Sequence, residues 1–150
     1  MHPEPARPAD FAAVVRLLDD AALPRSDLTP EHLAHFLVLR DGDAVVGVVG
    51  MEAADDAGLL RSLAVAGHRR GGGWASRLVD ALETRARTSG IRTLYLLTTT
   101  AEGFFARRGY APADRAAVPA AILATEEFRG ICPSTALCMA KPLEDGVPAR

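Results

Sequence analysis

The feature that most constrains this chain is the change of character between Leu59 and Ala86. An apolar, strand-like run ending in Leu63-Ala64-Val65 gives way to a basic, glycine-dense loop, Ala66-Gly67-His68-Arg69-Arg70-Gly71-Gly72-Gly73. That loop opens straight into an amphipathic helix beginning at Trp74-Ala75-Ser76. The first turn of a helix has backbone N–H groups without intrahelical acceptors, and it carries the positive end of the macrodipole. It is therefore a cradle for anions. Glycines at 71, 72 and 73 let the backbone approach a ligand closely and adopt positive φ. Each costs roughly 0.5–1 kcal/mol of conformational freedom, which a plain turn would not require. Arg69 and Arg70 add fixed positive charge. Two linked phosphates are the guest that main-chain donors from Gly71 to Ser76 would fit.

A chain of 150 residues is long enough to bury a sizeable core, and one domain is the expectation. We expect that domain over 1–143, with a loose tail at 144–150. A formal net charge of −2 argues against a nucleic-acid binder, which should be clearly basic. No apolar run reaches the ~18 residues of a spanning helix, so no membrane partner is expected. Two cysteines are too few for a disulfide framework, and the N-terminal residues have no secretory pattern; a cytoplasmic location is the expectation. No internal repeat and no metal-ligand motif is visible, and no metal is expected.

Spacing along the chain predicts a short edge strand near 3–7 and a helix over 9–22 carrying Phe11, Val14, Val15 and Leu18, stopped by Pro24. Thr29-Pro30-Glu31 reads as N-cap, N1 and early acid of a short helix. Strands follow at Phe36 to Arg40, Ala44 to Ala53 and Leu59 to Val65, joined by turns at Asp41-Gly42-Asp43 and Asp55-Asp56-Ala57-Gly58. Ala75, Leu78, Val79, Leu82 and Ala86 stripe one face of the helix after the loop, which ends near Gly90. Arg92 to Thr98 is a strand. Thr99 and Glu102 have capping-box spacing before a short helix stopped by Gly109. An extended piece at 112–115, a helix from Pro119 toward Phe128 and a strand from Ser134 to Lys141 complete the order. The result is a mixed α/β sheet, mostly antiparallel, with one βαβ unit near its middle.

This order, with the loop, resembles the GNAT acyltransferases. Their pattern of Arg or Gln, two residues, Gly, one residue, then Gly or Ala is met by Arg70, Gly73 and Ala75. Their Ala-x-x-Phe-Tyr-x-x-x-Gly-Phe segment is similar to Ala101-Glu102-Gly103-Phe104-Phe105-Ala106-Arg107-Arg108-Gly109-Tyr110. The segments His32 to Leu37, Leu94 to Ala101, and Cys132-Pro133-Ser134-Thr135-Ala136 with Cys138-Met139 and Lys141 look like a subgroup found with arsenic-resistance genes. Leu96-Leu97-Thr98-Thr99 is also similar to N-acetylglutamate synthases. Both likenesses point to a small, amino-acid-like amine as acceptor. A homodimer is what the family suggests by analogy.

The resemblance implies acetyl-CoA as co-substrate, held by Leu63, Ala64, Val65, Arg69, Arg70, Gly71, Gly72, Gly73, Trp74, Ala75 and Ser76, with Thr100, Phe104 and Phe105 nearby. The pantetheine arm would lie where the two parallel strands splay, and the N–H of Val65 would polarise the thioester carbonyl. The family's proton donor is the tyrosine of its Phe-Tyr pair. Here that position is Phe105, which has no proton to give, so Thr98, Thr99, Thr100, Tyr95 or a water would have to serve. Thr99 reads equally as the helix cap.

For a base, Glu52 is the nearest carboxylate by strand order, although it reads also as an exposed hairpin acid beside Asp55 and Asp56. His32, His35 and His68 are alternatives, and His35 lies in a region that often walls the acceptor site. Arg61 and Ser62 are placed to bind an acceptor carboxylate, for which Arg is suited. Two further readings stand beside the enzyme. One is a non-catalytic acyl-CoA sensor, kept alive by Phe105. The other is an arsenical-binding protein using thiolates of Cys132 and Cys138, which read otherwise as buried reduced thiols.

Overall fold

The computed structural model describes residues 1–131 and 135–143. The expected tail from Glu144, and Cys132, Pro133 and Ser134, lie outside the described residues. Seven strands form: β1 Glu4–Pro5, β2 Phe36–Asp41, β3 Ala44–Ala54, β4 Ala57–Val65, β5 Thr93–Thr98, β6 Ala111–Pro112 and β7 Leu137–Pro142. Among the described residues four α-helices accompany them: α1 Phe11–Asp20, α2 Trp74–Thr88, α3 Glu102–Arg107 and α4 Ala120–Leu123. The strands pair in the order β1-β2-β3-β4-β5-β7-β6. Pairing is antiparallel for β1/β2, β2/β3, β5/β7 and β6/β7, and parallel for β4/β5. The expected mixed, mostly antiparallel α/β sheet is therefore the fold that forms. Among the described residues, no helix is long and apolar enough to cross a membrane.

The chain divides into two compact units. The first holds Met1–Glu52 and Arg61–Arg85. In it α1 turns Val14, Leu17 and Leu18 onto Leu28, Leu33, Phe36, Val38, Val48 and Ala64. Each of these apolar side chains is nearly or fully withdrawn from water, a gain of roughly 1.5–3 kcal/mol for a large one. Helix α1 ends at a left-handed Ala22, where the Ala22 N–H donates to Asp19 and the Leu23 N–H to Leu18. That is a Schellman closure, with Pro24 following as the stop. Thr29 does open the next helical segment, but residues Pro30–His35 form a 3-10 helix, in which His32 rather than an acid faces back to the cap. On β3, Gly50 is required by close approach: a Cβ there would lie 2.3 Å from the ring of Phe36.

The second unit holds Ala53–Leu60 and the described residues from Ala86 onward. Strands β5 and β7 pair along their whole lengths, from Thr93↔Pro142 to Thr98↔Leu137. The core here is Ala57, Leu59, Val118, Ile122 and Cys138, with Tyr95, Leu97 and Phe128 packed against it.

Several expected boundaries move. The turn before β4 shrinks to Asp55-Asp56, because Asp55 itself adopts the left-handed φ of 56°; Ala57 and Gly58 join the strand. Thr99 does not cap α3. Its N-cap is Ala101, whose N–H donates to the Thr98 hydroxyl at 3.0 Å. A side chain one residue earlier thus reaches the loop better than the capping-box spacing suggested. The extended piece at 112–115 is only Ala111–Pro112, since Asp114 caps a 3-10 turn over Arg115–Ala117. The helix from Pro119 stops at Leu123, and a π-type turn covers Glu127–Ile131, with Gly130 at φ 151°.

Candidate active site

The glycine loop is built as its composition requires. Gly71 and Gly73 take positive φ, 84° and 79°, and a Cβ on either would meet nothing within 4 Å. Their role is conformational, and open space surrounds them. Gly72 has no such φ; a Cβ there would crowd the Trp74 indole at 3.0 Å. The first helical hydrogen bond of α2 runs from the Arg77 N–H to the Gly73 carbonyl. The N–H groups just before it precede the intrahelical ladder, and they stand at the positive end of a fifteen-residue helix. Arg77 stacks on the Trp74 ring at 4.6 Å, covering the start of the helix. Ala75 and Ser76 are half-buried in that first turn.

The two loop arginines have local tasks. Arg70 donates through Nε to the Val65 carbonyl at 3.3 Å, tying the loop back to the strand that feeds it. Arg69 pairs with Asp41, while its buried Nε has no hydrogen-bond partner among the described residues. His68 is exposed.

Strand β4 supplies the second part of the site. Its register with β5 runs only from Ala57↔Thr93 to Leu59↔Tyr95, yet β4 continues to Val65. The backbone of 60–65 is thus outside that register. Leu63 and Val65 are half-buried and Ala64 is buried. Within the strand, Ser62 has a left-handed φ of 62°. A non-glycine residue holds that conformation at a cost of order 1–3 kcal/mol and tends to do so at functional sites. It breaks the strand's alternation of faces, and Arg61 and Ser62 are both buried.

Arg61 is the centre of a polar cluster that local sequence patterns did not reveal. Its side chain is fully buried. Nη1 and Nη2 donate to the two carboxylate oxygens of Asp27 at 2.7 and 2.8 Å, a bidentate pair. Nη1 also donates to Glu52 Oε2 at 2.6 Å, and Nε to the Ser62 hydroxyl at 3.1 Å. The guanidinium expected to hold an acceptor carboxylate is here engaged by two carboxylates of its own chain. Glu52 is accordingly an ion-paired residue with its side chain 24% exposed, not a lone hairpin acid. Asp27 was missed, because it lies in an irregular stretch 34 residues from its partner with no motif to mark it. Burial pushes the Asp27 carboxyl up, but the hydrogen bonds and charge of Arg61 outweigh this and hold it below the ordinary value, with His32 adding a smaller pull.

His32 joins the cluster from the 3-10 helix. Its Nδ1 accepts from the Thr29 N–H at 3.1 Å, which leaves Nε2 to carry the proton of a neutral ring. One ligand-type atom each from Asp27, His32 and Glu52 lie within 4.8 Å of one another. A metal would find these donors already serving a cation, since Arg61 is held by both carboxylates. His35 is exposed and is not part of this group.

The remaining expected residues lie in the second unit. Thr98 is half-buried at the end of β5, its hydroxyl accepting from Ala101; Thr99 and Thr100 are exposed in the bend that follows. Phe105 is buried, edge-on to Phe104 at 5.1 Å and to Tyr110 at 5.5 Å, so it serves as a core aromatic. Phe104 is half-buried, with Arg108 over its ring at 5.5 Å. Burial raises the Tyr95 hydroxyl above its ordinary value, so it stays protonated at neutral pH. Burial likewise raises the Cys138 thiol, which disfavours the thiolate that a soft ion would need.

Strand β4, the glycine loop and the N-terminus of α2 follow one another in the chain, and β4 also carries Arg61 with its two carboxylate partners. The family model described as an acetyltransferase (GNAT) domain matches residues 32–112, more than half of the chain, and the chain belongs to that family. Over 86 residues, or 57% of this chain, it is 40% identical to the amino-acid acetyltransferases of Pseudomonas fluorescens (strain Pf0-1) and Azotobacter vinelandii. The chain spans about a fifth of the length of these curated relatives, since the match covers 20% of each. Among solved structures, N-acetylglutamate synthase from Neisseria gonorrhoeae, complexed with coenzyme A and N-acetyl-glutamate, superposes with a TM-score of 0.82 at 23% identity. That match covers 95% of this chain and 35% of the other. Rv2747 from Mycobacterium tuberculosis, in complex with CoA, gives 0.80 at 24% identity and covers 96% of this chain and 100% of that one. These likenesses establish the GNAT fold.

Proposed function

We propose that the chain transfers an acetyl group from acetyl-CoA to the primary amine of an amino acid or similarly small molecule, by direct attack in a ternary complex. The observation that carries this reading is the loop at 69–76, with two left-handed glycines in open space at the N-terminus of α2. In this reading the amides of Gly71 to Ser76 hold the CoA diphosphate. The β4 backbone beyond its register with β5 takes the pantetheine arm, and the Val65 N–H polarises the thioester carbonyl. Holding donor and acceptor together supplies up to about 7–11 kcal/mol of the barrier.

Glu52 is the proton acceptor for the amine. It is partly exposed, and only its Oε2 holds a protein hydrogen bond among the described residues. Hydroxyls of Thr98 or Thr99, or a water, protonate the departing thiolate in place of the aromatic hydroxyl that Phe105 lacks. The amino-acid acetyltransferases among the relatives support an amino-acid acceptor. The likeness to the arsenic-resistance subgroup adds arsenic-containing amino acids to the candidates. A reducing cytoplasm suits the free Cys138.

The test is calorimetry with acetyl-CoA, followed by thiol release with the twenty amino acids, small amines and an arsenic-containing amino acid. Acetyl-CoA should bind, Gly73→Glu should weaken binding at least tenfold, and Glu52→Gln should lower kcat by about 10²- to 10³-fold with acetyl-CoA binding intact. Binding without turnover of any amine would leave an acyl-CoA sensor. Unchanged affinity in Gly73→Glu would remove the loop from the argument.

A further inference from the structure

The cluster around Arg61 contains one more carboxylate than charge neutrality needs. A buried guanidinium requires one counterion, and Asp27 already provides it with a two-point hydrogen bond at 2.7 and 2.8 Å. Glu52 is the surplus negative charge. It shares only Nη1, through Oε2, and its Oε1 holds no protein hydrogen bond among the described residues. The two carboxylates also differ in burial, 9% exposed for Asp27 and 24% for Glu52. A base next to an unshared guanidinium would be held ionised and would be a poor proton acceptor, because an opposite charge at this distance favours the charged form by about 1–3 pH units. A guanidinium already matched by another carboxylate exerts less of that pull on the base beside it.

We propose that Asp27 is a positioning residue for acetyl transfer: by taking up the charge of Arg61 and fixing its plane, it leaves Glu52 oriented by Nη1 yet still able to accept the amine's proton. The inference rests on Glu52 as the base. Arg61 is then a bracket between two carboxylates, and its guanidinium is not the acceptor's carboxylate clamp. The net charge of Asp27, Arg61 and Glu52 is −1, which favours an acceptor arriving as its ammonium form. His32 is a further titratable group at the cluster, and its Nδ1 is committed to the Thr29 N–H. The left-handed Ser62 contributes by holding its hydroxyl against Arg61 Nε at 3.1 Å.

Asp27→Asn tests this, since it preserves shape and one hydrogen bond while removing the charge. With the acceptor that the amine panel identifies, the acid limb of the kcat/KM profile should move about one pH unit lower, and kcat on the plateau should fall about 3- to 10-fold. KM for acetyl-CoA should not change. Asp27→Glu, which keeps the charge, should leave the limb where it is in the parent. A uniform loss of activity with an unmoved limb would overturn the proposal, as would a rise in the acceptor's KM alone. A readout that needs no turnover is the side-chain carboxyl ¹³C resonance that disappears in Glu52→Gln. Its titration midpoint should fall by a similar amount in Asp27→Asn, and an unmoved midpoint would also overturn the inference. Full activity in Glu52→Gln is a different failure: it removes the base itself, whatever Asp27→Asn does.

Discussion

The first unit contains two arginine clusters of nearly the same composition, and they differ in what they are built for. Arg40 donates through Nε to Glu4 at 2.7 Å and through both terminal nitrogens to Asp10 at 2.7 and 2.6 Å. Arg61 likewise bridges two carboxylates. Around Arg40 every partner is structural. Asp10 also accepts from the Arg7 N–H at 2.7 Å, so the cluster clamps β1 and the turn before α1 onto β2. Around Arg61 the backbone carries a left-handed Ser62, a histidine faces the group, and one carboxylate keeps an oxygen uncommitted. Glu4 too keeps one oxygen free of a protein hydrogen bond among the described residues, so an uncommitted carboxylate oxygen does not by itself tell the clusters apart. What sets the Arg61 cluster apart is the left-handed Ser62 in its backbone and the histidine beside its carboxylates.

The sharpest way to break that comparison is to remove each arginine. Arg40→Met and Arg61→Met each leave two carboxylates facing one another without their cation, and each should lower stability by about 3 kcal/mol, measured by denaturant unfolding. Only Arg61→Met should also abolish acetyl transfer; Arg40→Met should retain kcat/KM at temperatures where it is folded. An equal loss of activity in both would make the two clusters equivalent.

Acid sharpens it at a smaller scale. The hydrogen bonds of Arg40 hold the Asp10 carboxyl below its ordinary value, against the opposing effect of burial. Asp27 is lowered too, with Arg61 overcoming burial. A carboxyl whose folded-state pKa is depressed stabilises the fold fully above its unfolded value near 3.8, and that contribution is lost as pH falls through the lower, folded value. Melting temperatures should therefore drop steeply below about pH 4 in the parent, and less steeply in Asp10→Asn and in Asp27→Asn. Equal slopes in all three would mean that neither pair differs between the folded and unfolded states.

The smallest effect belongs to the control. Arg25 and Asp19 form an ion pair at 2.8 Å with both side chains about half exposed. Solvent screens such pairs. Asp19→Asn should leave the melting temperature within measurement scatter at neutral pH, and a loss comparable to that of Arg40→Met would undo the argument from burial.

Much of the fold could be read from local pattern. The stripe of Leu78, Val79, Leu82 and Ala86 is fully buried on α2, and the punctuation at Pro24, Thr29, Gly42 and Gly109 falls where elements stop or start. The departures came where a neighbour in space outbid a local rule. Thr98 rather than Thr99 engages the loop before α3, and with Asp55 left-handed the turn closes early enough for Ala57 and Gly58 to join the strand. In the candidate site, the glycine loop was legible because its chemistry is a property of consecutive backbone groups. Glu52 was legible only as a position at the end of a strand. Its ion pair was not, because Arg61 reaches it from the neighbouring strand β4 and also reaches Asp27 in a different stretch of chain.

By itself, then, the order of residues determined the family, the anion loop and the alternation of elements, since each is written in spacings of a few residues. Only the folded chain decided that Arg61 answers to two carboxylates, that Glu52 is the less buried and less committed of them, and that Phe105 belongs to an aromatic core. Ion pairing and packing depend on which side chains meet across tens of residues, at separations of a few ångströms that no local periodicity encodes.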